Sequence, residues 1–153
     1  MDSKIETKEK KIIKAVVKRK TAREYAFALT YERLVVGERN EFSKEVAAGN
    51  LENQAEFFIK VLDATDNNFD FLSSAIAKFS KGFSLSRMAK VDLALILVAS
   101  AEILFLEDIP SLVAVNEALE LSKRYSSEKS TKFIHGVLSS IIKEKEELLK
   151  EIQ

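Results

Sequence analysis

At 153 residues, with no Cys, four Gly, one Pro and no Trp, the chain has the size of one ordinary domain, able to bury about two-thirds of its unfolded surface without disulfide staples. Thiol nucleophiles and thiolate metal sites are excluded, and the scarcity of turn residues beside abundant Lys and Glu favours long helices over a sandwich or barrel. The formal net charge is zero, yet residues 1–23 hold nine Lys or Arg against three acids, leaving 15 against 21 for the remainder.

A basic end beside an acidic body suggests two surfaces with different partners, the first a polyanion, unless the basic end is only a solubilising tail. The charged N-terminus lacks the continuous apolar stretch of a secretory signal, which predicts a cytoplasmic protein.

In chain order, Ile5, Ile12, Ile13, Val16 and Val17 punctuate a Lys/Glu-rich segment at approximate helical spacing. The segment reads either as a helix packed on the body or as one that forms on binding. Over 20–36, Ala22, Tyr25, Ala26, Leu29 and Val36 trace one helical face. Thr21 with Glu24 has the arrangement of a capping box, although the helix could run through it, and Gly37 is a stop signal. Residues 38–50 read as a connection holding a short helical turn near 42–47 and ended by Gly49, with Asn50 as cap for the next helix. In that helix Leu51, Ala55, Phe58, Val61 and Leu62 recur every three or four residues. A break at Asp66-Asn67-Asn68 precedes an amphipathic helix carrying Phe69, Leu72, Ile76 and Phe79, closed near Gly82.

The stretch 91–106, VDLALILVASAEILFL, is apolar around nearly its whole circumference. Such a helix must be surrounded by others, and its 16 residues and two carboxylates fall short of a membrane span. It is therefore expected to be the buried axis of the domain, started by Ser84 or Ser86. Asp92 lies where a carboxylate meets unpaired backbone donors. Pro110 should close the axis and Ser111 cap a helix over 112–125, packing Val115, Ala118, Leu119 and Leu121. Ser126-Ser127 reads as a break and cap. The last predicted helix runs over 128–151, with Phe133, Val137, Ile141 and Leu148 as its stripe.

Catalytic and metal-binding patterns are lacking: His135 is the sole histidine, and neither HExxH nor a phosphate-cradling glycine loop occurs. Asp92 and Glu102 lie ten residues apart, almost three helical turns, so the two do not form one compact acid site. No enzymatic activity, metal or cofactor is expected. His135, between the inward-reading Phe133 and Val137, is assigned packing or hydrogen bonding. Asn116 in LVAVNEALEL is read as buried and pinning a helix connection through backbone bonds, with an exposed interface role as the alternative. The main chemical feature is the cluster Lys18, Arg19, Lys20 and Arg23, whose three- and four-residue spacings can set several cations along one helical face toward phosphates.

Arg19-Lys20-Thr21-Ala22-Arg23-Glu24 leading into YAFALTY, together with IPSLVAVNEALELSKRYSSEKSTKFIHGVL, resembles the NusB family of bacterial transcription antitermination factors. The resemblance covers roughly 19–142. It implies an all-α, NusB-like fold of two small helical subdomains around a shared buried helix, here a domain over 19–150 divided near 19–82 and 83–150, after a basic extension over 1–18. It also implies a nonenzymatic adaptor. Such an adaptor binds single-stranded boxA-like nascent RNA, pairs with a small ribosomal-subunit protein of the NusE type, and joins an antitermination complex on RNA polymerase. Lys18, Arg19, Lys20 and Arg23 would bind RNA. Asp92, Glu102, Asn116, Glu117, Phe133, His135 and Gly136 fall on the family's internal pattern, as structural or partner-surface residues. Leu93 and Leu97 stand where the family usually has basic residues and Ala101 where it has Tyr, which would strip charge and aromatic surface. His135 stands where Asn is usual. An adaptor without specific RNA recognition is the alternative, and family members include monomers and homodimers.

Overall fold

A computed structural model describes residues 2–152, with side chains described from residue 19 onward. Among the described residues there are eight α-helices, two 3-10 turns and no strand. The all-helical expectation holds, and the reason is local. Long runs of helix-forming Ala, Leu, Lys and Glu are interrupted mostly where Gly, Pro, Asn or Ser can cap or turn the chain.

Helix α1 (Asp2–Val36) continues through Thr21, so the capping box is not a helix start. It stops at Gly37, which adopts φ +104° and returns its N–H to the Arg33 carbonyl at 2.7 Å, a left-handed turn that glycine tolerates best. Helix α2 (Glu41–Leu51) is longer than the expected single turn and passes through Gly49 and Asn50. Its cap is Asn40, whose side chain accepts from the Ser43 N–H at 3.0 Å. A 3-10 turn at Glu52–Gln54 leads into α3 (Ala55–Asn67), and α4 (Phe69–Phe79) follows across Asn68.

A second 3-10 turn (Leu85–Arg87) precedes α5 (Lys90–Phe105), capped by Ala89 rather than by either serine. Pro110 occupies the N-cap of α6 (Ser111–Tyr125), leaving Ser111 inside the helix. Ser127 caps α7 (Glu128–Lys143) by accepting from the Ser130 N–H at 3.0 Å. The last predicted helix is two, because Glu144 interrupts the run before α8 (Lys145–Lys150).

Every residue from Asp92 to Leu104 is buried. Helix α5 packs against α1, α3, α4, α6 and α7, as an all-round apolar helix requires. Two apolar clusters meet on it. One joins Ala22 and Ala26 of α1, Ala47 and Leu51 of α2, and Phe57, Phe58, Val61 and Leu62 of α3 to Val98. The other gathers most of α5 with Leu72 and Ile76 of α4, Ala118 of α6, and Ile134, Leu138 and Ile141 of α7. No helix among the described residues is long and apolar enough to cross a membrane.

Candidate functional site

The basic cluster of α1 divides by depth. Arg19 and Lys20 are exposed, whereas Arg23, one turn further along, is only 4% exposed. Lys18 lies outside the residues whose side chains are described. At about 100° per residue, Arg19, Ala22, Arg23 and Ala26 lie on one face of the helix with Lys20 about a quarter-turn to its side. Arg19 is thus exposed not by facing away but by lying a turn nearer the helix N-terminus than the buried Arg23. Arg23 is a correction to the expected surface role. Its Nε donates to Glu102 Oε1 at 2.9 Å, and both side chains are shut off from water. Burial raises the Glu102 pKa above its ordinary value, against the opposing charge and hydrogen bond of Arg23, with nearby Glu117 raising it further. Glu102 is thus the internal partner of Arg23 and fastens α1 to α5.

Arg19 is held from the other side. Its Nε donates to Gln54 Oε1 at 3.2 Å, and its guanidinium carbon lies 4.4 Å from the centre of the Phe57 ring. The Arg23 guanidinium stands 4.9 Å from the same ring. Both distances fall in the range of cation–π attraction. Phe57 is therefore the element that two arginines of opposite exposure share. Lys20 Nζ is 4.0 Å from Glu117 Oε1, a loose pair whose lysine side chain is 60% exposed. Beside it, Glu24 pairs with Arg124 at 3.1 Å and accepts from the Tyr125 hydroxyl, so α1 is also tied to α6. Gln54 and Phe57 carry no local signal that could have marked them, since they reach Arg19 across 35 and 38 positions of sequence.

The internal set is scattered over the second half of the chain rather than gathered into one cavity. Asp92 is buried and accepts from the Ser126 and Ser130 hydroxyls, each at 2.7 Å. It fastens the start of α5 to the α6–α7 junction through these side-chain hydroxyls. Phe133 is half-buried and meets the exposed Phe83 edge-on at 5.7 Å. Glu117 is half-buried near Lys20. Asn116 is exposed, which overturns its reading as a buried pin: Val115 and Ala118 take the buried side of α6, and the turn between them carries Asn116 outward. His135 is exposed for the same reason, the buried stripe of α7 being Ile134, Val137, Leu138 and Ile141. Gly136 is exposed with open space where a Cβ would stand.

Leu93, Leu97 and Ala101 are at most 8% exposed and belong to the second apolar cluster. They fill the core, and the expectation that they strip an exposed surface is corrected accordingly. Among the described residues no group of His, Asp and Glu is arranged to hold a metal ion. What the site offers is an exposed guanidinium and ammonium at the edge of a rigid helix, backed by buried polar and aromatic supports. That combination suits an anionic chain.

Comparison with known proteins gives a consistent similarity. The model of the NusB family matches residues 20–143. A transcription antitermination protein NusB of Acetivibrio thermocellus is 39% identical over 134 residues, covering 83% of this chain and 90% of that protein. Among solved structures, T. maritima NusB superposes with a TM-score of 0.74 at 25% identity, covering 86% of this chain and 96% of the other. A crystal structure of antitermination factors NusB and NusE in complex with dsRNA contains a chain that matches with a TM-score of 0.73 at 27% identity, covering 82% and 96%.

Proposed function

This chain belongs to the NusB family, and from that premise we propose that it is a nonenzymatic RNA-binding adaptor of transcription antitermination. It takes single-stranded boxA-like nascent RNA on the exposed cations of α1. It pairs with a small ribosomal-subunit protein of the NusE type and joins an RNA polymerase complex in the cytoplasm. The observation that carries this reading is Arg19, an exposed guanidinium held by Gln54 and Phe57 at the margin of a helix whose next inward arginine is spent on Glu102.

Arg19 and Lys20 supply the phosphate contacts, Lys20 leaving Glu117 as RNA arrives. Arg23 acts from within by fixing the helix that presents them. The acidic body, with its 21 acids after residue 23, suits a basic protein partner, and each bound partner raises the effective concentration of the next. NusE accompanies NusB and dsRNA in one of the matching structures, which supports the partner class.

The test is titration of a labelled boxA-like RNA and its scrambled control, with and without the NusE-type partner. Arg19→Ala is expected to weaken binding by about 10- to 150-fold, the worth of one hydrogen bond to a charged group. It should also flatten the salt dependence by about 0.7 in log–log slope. Equal affinity for the scrambled RNA in both settings would instead identify an adaptor without specific RNA recognition.

A further inference from the structure

An arginine on an open helix face samples many rotamers and loses that freedom when it closes on an anion. Arg19 is restrained before any ligand arrives. Its Nε is engaged by Gln54 at 3.2 Å, and its guanidinium lies over the Phe57 ring at 4.4 Å. Gln54 and Phe57 are themselves nearly inaccessible, 8% and 7% exposed. The support therefore comes from the body of the protein and not from another mobile surface chain.

We propose that Gln54 and Phe57 are positioning residues that pre-set Arg19 to receive a phosphate of single-stranded RNA through its terminal nitrogens. The proposal rests on the RNA-binding reading above and assigns work to two residues of the α2–α3 junction. With Nε occupied, the edge formed by the two terminal nitrogens is the one left for an incoming phosphate. Among the described residues neither nitrogen has a hydrogen-bond partner. That edge donates two roughly parallel bonds, the geometry a phosphate accepts.

The local backbone serves the same end. Glu52 adopts φ +50° where α2 gives way to the 3-10 turn, a conformation that side-chain-bearing residues seldom take. The turn it begins ends at Gln54, three residues before Phe57. The arrangement is also anchored by Arg23, 4.9 Å from the Phe57 ring and bonded to Glu102. A row of contacts thus runs from Glu102 in the core through Arg23 and Phe57 to Arg19 at the surface. The neutrality of Gln54 matters to the chemistry. A carboxylate there would orient Arg19 equally well but would offset its charge and compete with phosphate, whereas an amide oxygen orients it and leaves the positive charge available.

The experiment is a double-mutant cycle on the full chain, read by titration of a labelled single-stranded boxA-like RNA across salt concentrations, with thermal unfolding as the folding control. Gln54→Ala and Phe57→Leu are each expected to weaken binding by about 2- to 10-fold, the scale of ordering one long side chain. Gln54→Glu, nearly the same shape, should weaken it more and lower the salt slope. In an Arg19→Ala background Gln54→Ala and Phe57→Leu should have no further effect on affinity, and Gln54→Glu should lose most of its own. Losses that persist undiminished without Arg19 would overturn the proposal. So would a loss in Arg19→Ala with none in Gln54→Ala or Gln54→Glu, which would leave the RNA-binding reading standing. Unchanged affinity in Arg19→Ala alone would overturn both.

Discussion

Arg23 and Glu102 meet where neither is reached by water, and a charge left alone there has nothing to offset its desolvation. Removing one partner of such a pair typically costs about 3–5 kcal/mol. Glu102→Leu removes the acceptor for Nε and strands the guanidinium, so urea unfolding should show a loss approaching that size. Replacing the pair together by Met and Leu should recover most of it, as the same desolvation argument requires. Asp66 presents the opposite case at the far end of α1. Burial alone would raise its pKa, but hydrogen bonds and charge from Arg39 and Arg33 prevail and hold the carboxyl below its usual value of 3.8. Its contribution to stability is therefore complete above about pH 4 and is lost as pH falls through the lower folded value. Asp66→Asn should accordingly flatten the acid limb of unfolding free energy against pH. Glu102, raised by burial, bends the curve the other way, its contribution being lost as pH rises through its folded value. Neither pairing could be read from the sequence, because each joins positions 27 to 79 residues apart. Asn116 and His135 were misread for a simpler reason: one step along a helix turns the side chain about 100°, enough to exchange core for solvent beside apolar neighbours.

Helices α4 and α6, whose apolar residues recur in step, were legible with boundaries close to those observed, as were the end of α3 and the start of α7 at its Ser127 cap. Helix α2 was underestimated because Gly49 and Asn50, ordinary stop residues, are carried inside a helix already started by Asn40 and held by Ala47 and Leu51 in the core. The last helix was overextended, since a Lys/Glu-rich tail keeps helical propensity across the interruption at Glu144. Gly136 offers a test at this scale. It sits in the interior of α7, exposed, with nothing within 4 Å of a Cβ placed there. Gly136→Ala should stabilise the protein by roughly 0.5–1 kcal/mol in thermal or urea unfolding. Unchanged or reduced stability would show that the space is not open. A stabilised variant with weaker hold on the proposed NusE-type partner would mark the bare helix face as a partner surface.

Over the whole molecule, two apolar clusters draw on one helix. Val98 of α5 packs with α1, α2 and α3, while its neighbours on the same turns pack with α4, α6 and α7. An axis shared this way leaves neither half a separate core to retain when the other opens. Unfolding followed by helical circular dichroism and by tyrosine fluorescence, with Tyr25 and Tyr31 on α1 and Tyr125 at the end of α6, should therefore give coincident transitions. Two separated midpoints would mean that the halves fold independently. The axis was the most legible feature of the sequence, an apolar run too short for a bilayer and too uniform for a surface. What stood beside it was not, because the cation-bearing edge owes its form to Gln54 and Phe57 arriving from another helix.

Helix α1 passes from Arg19 to Ala22 and Ala26 without a joint. The cation and the buried alanines are consequently locked in phase, like two cams on one shaft. An extra residue between them would rotate one set against the other by about 100° and displace it by about 1.5 Å. The core would keep its alanines, and the guanidinium would swing off its aromatic seat. Lengthening this rod beyond Arg19 leaves the phase untouched, while inside it only steps close to a whole turn preserve the alignment.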